Sequence, residues 1–484
     1  MLSSTLSYAN HKFAFSPPNT LLMQIGAAGL LATYAALLAG VYALFARHAP
    51  EPYMDEPFHL GQTQTYCAGR WTEWDGKLTT FPGVHVLGAT GARLVHALTG
   101  DPACSLATLR AFNLLPALAT PPLLLSLLRR YHPSVGTSDL LANAALLSLL
   151  PTHFFYHFLY YTDSAATAAV LLLLLLLYGG PATASRTWGS SVSRAFAALA
   201  SLLALAVRQT NAVWIAFAVG TSAVRQLEAD GQLSARAPLS EAIRSLLLRG
   251  GLRRAAPKLL ASQAEHLFLL VGFACFVMLN GGVAIGDASN HEMTLHLAQL
   301  AYAAALASAP FQIETLTFRL PTTLRDAFCS ARRAPLLAAL VFAATGAAVW
   351  ATRGHPFLLA DNRHATFYLW RHVLSRPARR WALAPLYALL GPLLVDRIAR
   401  AHGGLRALAL GVATALVLVP APLLEPRYLN LPVLLARLLS PPLAGPREWA
   451  PPLAAFALIN GASIGVFLGR PYVWGDGTLA RFMW

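Results

Sequence analysis

The run LLMQIGAAGLLATYAALLAGVYALFA occupies residues 21–46 and holds no charged side chain. A helix rises about 1.5 Å per residue, so a run of this length crosses the roughly 30 Å of bilayer hydrocarbon. It begins late, as a signal anchor does, rather than as the short apolar core of a cleavable leader. A second run, Ala165 to Gly180, is also uncharged and is unbroken leucine from Leu171 to Leu177. The rest of the chain repeats the pattern. Of its 484 residues, 56% are hydrophobic and 12% charged, where an ordinary soluble domain carries about a quarter. The apolar excess must be shared among segments that face lipid or one another. The sequence therefore predicts one all-α, polytopic membrane domain over residues 1–484.

Spans are expected near 21–46, 104–128, 139–159, 164–181, 194–208, 212–224, 263–281, 294–312, 335–352, 381–397, 404–420 and 451–469. That makes about 12, give or take two, and 428–444 either spans or re-enters. The stretch after Pro82, to about Leu98, carries Gly83, His85, Arg93 and His96 and reads as a helix lying in the interface. It belongs to a long first loop, 47–103.

The net charge is +15, from 36 Lys+Arg against 21 Asp+Glu. No basic stripe with interleaved aromatics accompanies it, so nucleic-acid binding is not expected. Basic residues orient membrane proteins instead. Arg129 and Arg130, Arg186, the loop 225–262, residues 313–334 and the turn near Arg397 to Arg406 fall on one side, expected to be the cytosol. The alternate loops, including 47–103, are then luminal. Arg371, Arg376, Arg379 and Arg380 break the rule: they fall on the luminal side. Either they meet something anionic there, or the span count slips. The four cysteines show no metal spacing, and a Cys67–Cys104 disulfide requires both to be luminal.

The unusual residues lie in the luminal loops. PYMDEPFH, Pro52 to His59, places two acids, Asp55 and Glu56, just past a span. A carboxylate there is a candidate general base; a solvated loop acid or a helix start accounts for it equally. Trp71 and Trp74 follow as candidate sugar platforms, though tryptophan is common at interfaces without a ligand. FLYYTD ends in Asp163, a candidate polar contact or a simple helix cap. RQTN puts Arg208 at membrane depth, where a cation needs a partner. NGGVAIGDASNH, Asn280 to His291, lacks the features of a nucleotide loop; Asn290 and His291 are its candidate acceptor contacts. His291 and His296 are spaced wrongly for one helical face, and no strict Asp-x-Asp pair appears, so no metal site and no cofactor are expected. HPFLLADNRHATFYLW, His355 to Trp370, gathers Asp361, Arg363, His364 and Trp370, and Arg with His suits a phosphate. PAPLLEPRY adds Glu425 and Arg427, which also read as an internal ion pair.

No single motif is specific. Together, six polar clusters fall on one side under an orientation set by arginines elsewhere. A transporter or flippase of a lipid-linked substrate, the alternative class, places its charges near the midplane; Arg208 alone fits that. A non-catalytic membrane partner would not require the acids of the first loop.

PYMDEPFH with Tyr66-Cys67, Thr79-Thr80 and Pro82-Gly83, then FLYYTD, RQTN, NGGVAIGDASNH, HPFLLADNRHATFYLW, PLLEPRY and the terminal RFMW resemble one family. It is the dolichyl-phosphate-glucose-dependent α-1,2-glucosyltransferases, which add the last glucose to the lipid-linked oligosaccharide. The resemblance runs from about residue 50 onward and is weakest over 225–262 and 313–334. Pro57 stands where the family has a bulky aliphatic residue, and Ser-Ala-Ala after Asp163 is a looser match. The resemblance implies the GT-C fold in the endoplasmic reticulum membrane, a luminal active site, dolichyl-phosphate glucose as donor and inversion at the anomeric carbon. It implies Asp55 as the base, with Glu56 as understudy. Arg363, His364, Arg427 and Arg208 are the candidate phosphate ligands. Trp71, Trp74, Asp163, Asn290, His291, Asp361, Trp370 and Glu425 are the candidate sugar contacts.

Overall fold

A computed structural model describes residues 20–100, 104–178, 191–286, 293–308 and 334–484. Among them, four helices are long and apolar enough to cross a membrane: Leu21–His48, Leu106–Tyr131, Pro377–His402 and Pro446–Gly469. Two bent pairs are comparably apolar, Pro151–Phe158 with Asp163–Tyr178 and Gly251–Ser262 with Ala264–Asn280, turning by 119° and 84°. Shorter helices, Ser191–Val207, Asn211–Ala229, Ala334–Trp350 and Gly404–Leu418, cover four more of the expected spans.

One expected span is corrected, and the two alternatives for 428–444 narrow to one. Over 139–159 the helix Thr137–Ser148 stops, and the chain restarts as Pro151–Phe155 and the 3-10 turn Tyr156–Phe158. Pro151 disfavours a helical Leu150 and offers no N–H to continue the ladder. The Leu149 carbonyl at this break is met by Asn460 Nδ2 at 2.8 Å, and Leu159 O, just past the 3-10 turn, by Asn113 Nδ2 at 2.7 Å. The stretch 428–444 holds a helix of only 10 residues, Asn430–Leu439, buried at every position. At about 1.5 Å per residue it covers half a bilayer, so it is embedded in the bundle and does not span it.

The bundle is built on Leu106–Tyr131 packed against Asp163–Tyr178, with Asn211–Ala229 and Gly404–Leu418 behind. Leu124, Leu127, Leu171, Leu173, Ile215 and Leu434 are fully buried there. Lipid is as apolar as leucine, so close packing and interhelical hydrogen bonds hold such a core. Asn143 illustrates the second term: its amide exchanges two hydrogen bonds with the backbone of Leu443, at 2.9 and 3.0 Å.

The expected interfacial helix is Gly83–Thr99. Val84, His85, Gly88, Ala89 and Ala92 face inward, while Leu87, Leu94 and Leu98 are exposed. A Cβ at Gly88 would fall 2.2 Å from the Tyr160 hydroxyl, so only glycine permits this approach. Cys67 and Cys104 form a disulfide that ties the first loop to the start of Leu106–Tyr131. The basic loop 225–262 folds as surface helices, Leu239–Ile243 and Gly251–Ser262, seated on Val224, Leu227 and Leu233.

Phe45, Phe155, Phe158 and Phe467 stack where the first and last spans end, with centroids 5.2 and 5.3 Å apart for Phe45 on Phe158 and on Phe467. The C-terminal tail returns over this floor. Arg481 donates to Phe467 O at 3.0 Å and His48 O at 2.5 Å, and its backbone N–H donates to the Tyr53 hydroxyl at 2.7 Å. The first loop is thereby fastened from the far end of the chain.

The anomalous arginines are also placed. Arg371 lies on a π-helical turn, Trp370–Leu374, that follows Ala365–Leu369, and Arg376 to Arg380 open the span Pro377–His402. They follow directly on the segment that carries Asp361–His364.

Candidate active site

Asp55 and Glu56 are adjacent in sequence and opposite in role. Glu56 is fully buried. It accepts from Arg110 Nε at 2.8 Å and Nη2 at 2.5 Å, from Tyr53 N–H at 2.9 Å and from Tyr160 N–H at 2.7 Å. Arg110 spends its remaining donors on Ala49 O at 2.6 Å and Glu51 O at 3.1 Å. A buried ion pair is tolerated when its polar atoms are hydrogen-bonded; here both Glu56 oxygens accept twice and every Arg110 nitrogen donates. Glu56 therefore joins the first loop to Leu106–Tyr131 and to the FLYY segment. With no lone pair to spare and no surface, it is not placed to take a proton.

Asp55 occupies the N-cap position of the helix Glu56–Cys67 and turns the other way. Its side chain is 43% exposed and looks into a cavity of about 390 Å³. Arg427 Nη2 donates to its Oδ2 at 2.9 Å, and its own N–H donates to the Tyr161 hydroxyl at 3.0 Å. Arg427 is shared among three acids. Nη2 reaches Glu425 Oε2 at 3.0 Å, Nε lies 2.5 Å from Glu425 Oε1, and Nη1 lies 4.0 Å from Asp163 Oδ2. Asp163 in turn accepts from Arg208 Nη1 at 2.7 Å. The rings of Tyr161, Tyr156 and Tyr428 surround the Arg427 guanidinium at 5.1 to 5.8 Å.

The opposite wall is Asp361, Arg363 and His364. Arg363 grips Asp361 with two parallel bonds, 2.8 and 2.7 Å, and its N–H adds a third at 2.9 Å. His364 Nδ1 lies 2.5 Å from Trp484 O, with Nε2 3.7 Å from Asp361 Oδ2. The tail holds this wall too: Met483 N–H donates to Arg363 O at 2.8 Å, and Ala365 N–H to Met483 O at 2.9 Å.

Burial works against the Asp55 carboxylate, but Arg427, followed by His59, outweighs it and holds the group below its usual range. Burial lowers His59 to about 4 against the pull of Asp55, so it is neutral near pH 7. Asp361 is likewise held low: burial opposes ionisation and the Arg363 hydrogen bonds overcome it. Arg427 is buried yet pushed well above its ordinary value by Glu425, Asp55 and Asp163. The site thus holds four carboxylates (Asp55, Asp163, Asp361, Glu425) against three guanidiniums (Arg208, Arg363, Arg427), a formal charge of −1 before any histidine is counted. Every arginine in it already has a carboxylate. An incoming anion must replace one of those acids.

Of the residues expected from sequence, Asp55, Asp361, Arg363, His364, Glu425 and Arg427 line one cavity. Asp163 and Arg208 stand directly behind it. Trp71 does not join them; it stacks on Tyr66 at 5.2 Å and is 43% exposed. Trp74 lies beside His85 and donates to Leu78 O at 3.3 Å. Trp370 packs against the Leu358, Leu374 and Leu424 cluster behind the wall. Asn290 and His291 lie outside the described residues. Four lining aromatics are not among the candidate site residues read from sequence: Tyr156, Tyr161, Phe357 and Trp474. The paired tyrosines of FLYYTD carried a signal for one of them. Among the described residues no group of three or more His, Cys, Asp or Glu is placed to hold a metal ion; the carboxylates face arginines.

Comparison with known proteins adds an independent finding. The family model described as the DIE2/ALG10 family matches residues 49–438. A rat relative named Dol-P-Glc:Glc(2)Man(9)GlcNAc(2)-PP-Dol alpha-1,2-glucosyltransferase is 30% identical over 470 residues, covering 92% of this chain and 95% of its own. A human protein of the same name is 30% identical over 476 residues, with 92% and 95% covered. An Arabidopsis thaliana relative, also so named, is 29% identical over 504 residues, with 90% and 95% covered. No solved structure matches the chain.

Proposed function

The chain belongs to the DIE2/ALG10 family, and on that premise we propose that it transfers glucose from dolichyl-phosphate glucose to the terminal glucose of the lipid-linked oligosaccharide, forming an α-1,2 linkage. It is an α-1,2-glucosyltransferase embedded in a membrane by its apolar helices. A GT-C arrangement of about 12 spans in the endoplasmic reticulum, with the cavity facing the lumen, accords with the family and with the basic loops on the opposite side.

The observation that carries the reading is the Asp55–Arg427 pair at the cavity wall. An inverting transfer needs a base for the attacking hydroxyl and a cation for the departing phosphate, without a covalent intermediate. In the empty site the two groups neutralise each other, which suits neither task. The donor phosphate competes with Asp55 for Arg427. As it takes Nη2, Asp55 loses the cation that kept it weakly basic and is left free at the cavity wall. It then accepts the proton of the acceptor 2-hydroxyl as that oxygen attacks C1. The C1–O bond to phosphate breaks on the opposite face, and the new charge falls on an oxygen that Arg427 already holds. His364 and Arg363 stand across the cavity for the remaining phosphate oxygens. Glu425 keeps Arg427 aimed throughout.

The test is complementation. Microsomes lacking this activity accumulate a lipid-linked glycan one glucose short, and expression of the chain should restore the full glycan. Restored transfer with Asp55→Asn would overturn the base assignment; failure of the intact chain, expressed and inserted, would overturn the activity.

A further inference from the structure

One cavity among the described residues belongs to neither the site nor its approaches. It is a trough of about 670 Å³ between the helices Ala384–His402 and Gly404–Leu418, floored by residues 236–239. Its walls are apolar: Val395, Ala399, Ala407, Leu408, Gly411 and Val412. Val395, Leu408 and Val412 are 53%, 46% and 49% exposed, so the trough opens toward the surroundings of the bundle. Its rim is basic. Arg236 and Arg400 stand at the end where the two helices meet. That end is the one away from the active site, since Gly404–Leu418 leads from the trough to Glu425 and Arg427 at its other end.

The floor is fixed. Gly404 N–H donates to Ala237 O at 2.9 Å, and a Cβ at Gly404 would fall 2.5 Å from Leu239 N. Arg236 itself is held at φ 60, a left-handed conformation costly for any residue with a Cβ. That conformation fixes the backbone from which Arg236 reaches the rim of the trough. No carboxylate pairs with Arg236 among the described residues, and Arg400 pairs with Asp396 at 2.8 Å, both exposed. Such exposed pairs exchange readily with another anion. By contrast Gly411 is open: a Cβ there meets nothing within 4 Å. The trough is a real void beside a helix, with two cations at the depth where the spans end.

We infer that the trough binds one anionic glycerophospholipid, an acyl chain lying along Gly411 and the phosphate at Arg236 and Arg400. The apolar walls suit a chain. The charge at the rim selects among headgroups, because a zwitterionic head brings its own cation to Arg236, which no described carboxylate offsets, beside the exchangeable Arg400–Asp396 pair. Basic pockets between spans recognise anionic lipids in this way. The inference is independent of the glucosyltransferase reading, as no trough residue touches the cavity.

The experiment is native mass spectrometry of the full-length protein with equimolar phosphatidylglycerol and phosphatidylcholine of matched chains. One phosphatidylglycerol should be retained in preference. Arg236→Gln and Arg400→Gln should each weaken its retention about fivefold. Gly411→Leu, whose Cβ meets nothing within 4 Å and whose side chain occupies the trough, should abolish retention of either lipid while the melting temperature in lipid-free detergent is unchanged. Equal retention of both lipids, or no effect of Gly411→Leu, would overturn the proposal. So would displacement of phosphatidylglycerol by dolichyl phosphate, which would mark the trough as a substrate site, or density for a protein helix in it.

Discussion

Asp55 Oδ2 and Arg427 Nη2 meet at 2.9 Å although 372 positions separate them. The contact closes the chain on itself: the first loop supplies the acid, and a loop after one of the last helices supplies the cation. The C-terminal tail holds both neighbourhoods, through Tyr53 on one side and Arg363 on the other. The site is therefore a product of the complete fold and of no single motif.

Asp55→Asn removes the candidate base and keeps the shape. Transfer should fall about a hundred- to ten-thousand-fold in kcat, with insertion and melting temperature little changed. Glu56→Gln should do the reverse. It leaves Arg110 buried beside a neutral amide, at a cost of about 3 kcal/mol, so the loss should appear as reduced yield and Tm while the kcat of surviving protein stays within a few-fold. Equal kcat losses in the two variants would contradict the division of roles.

Much of this was legible in the sequence, and the limits have physical causes. Apolar runs mark spans because a bilayer imposes a length; Leu106–Tyr131 and Pro446–Gly469 fall close to the expected 104–128 and 451–469. The break before Pro151 was hidden because apolar residues continue through it, and only partner amides such as Asn460 show how the freed carbonyl is met. The site acids and arginines were found because charge is rare in such a chain. Their pairing was not, since sequence does not reveal which acid an arginine meets. Glu56 shows this best: its neighbour faces a cavity, and it faces Arg110. Trp71, Trp74 and Trp370 stood out by residue type alone, and none of them lines the cavity that Asp55 faces.

Asp163 and Arg208 form a buried pair at 2.7 Å directly behind Arg427. Removing either partner strands the other. Asp163→Asn and Arg208→Gln should each destabilise by about 3 kcal/mol, and the double variant should cost clearly less than the sum. A double-mutant cycle by thermal unfolding in detergent measures this. Strict additivity would mean that the two do not interact.

The disulfide Cys67–Cys104 closes a loop across 37 positions. Chain-entropy arguments assign such a closure about 3 to 4 kcal/mol. Reduction, or Cys104→Ser, should lower Tm and loosen the first loop, with transfer falling through reduced stability. Maleimide labelling of denatured protein should gain two reactive thiols on reduction, those of Cys67 and Cys104. No gain on reduction would show that the bridge is not formed.

The pH dependence tests the exchange of partners at Arg427. The folded-state pKa of Asp55 lies below its ordinary value of 3.8. Its stabilising contribution is therefore present above 3.8 and is lost as pH falls through the depressed value. In kinetics, kcat/KM reports the free enzyme and kcat the loaded one. If the donor phosphate takes Arg427 from Asp55, the acid limb of kcat lies at higher pH than that of kcat/KM. Arg427→Gln removes the cation and leaves the burial, so its residual kcat/KM should lose activity at a higher pH than the wild type does. His59, neutral above about 4, contributes no second limb in the neutral range. Coincident limbs for kcat and kcat/KM, or a limb in the variant shifted to lower pH, would separate Asp55 from Arg427 and leave the base to be sought elsewhere on the cavity wall.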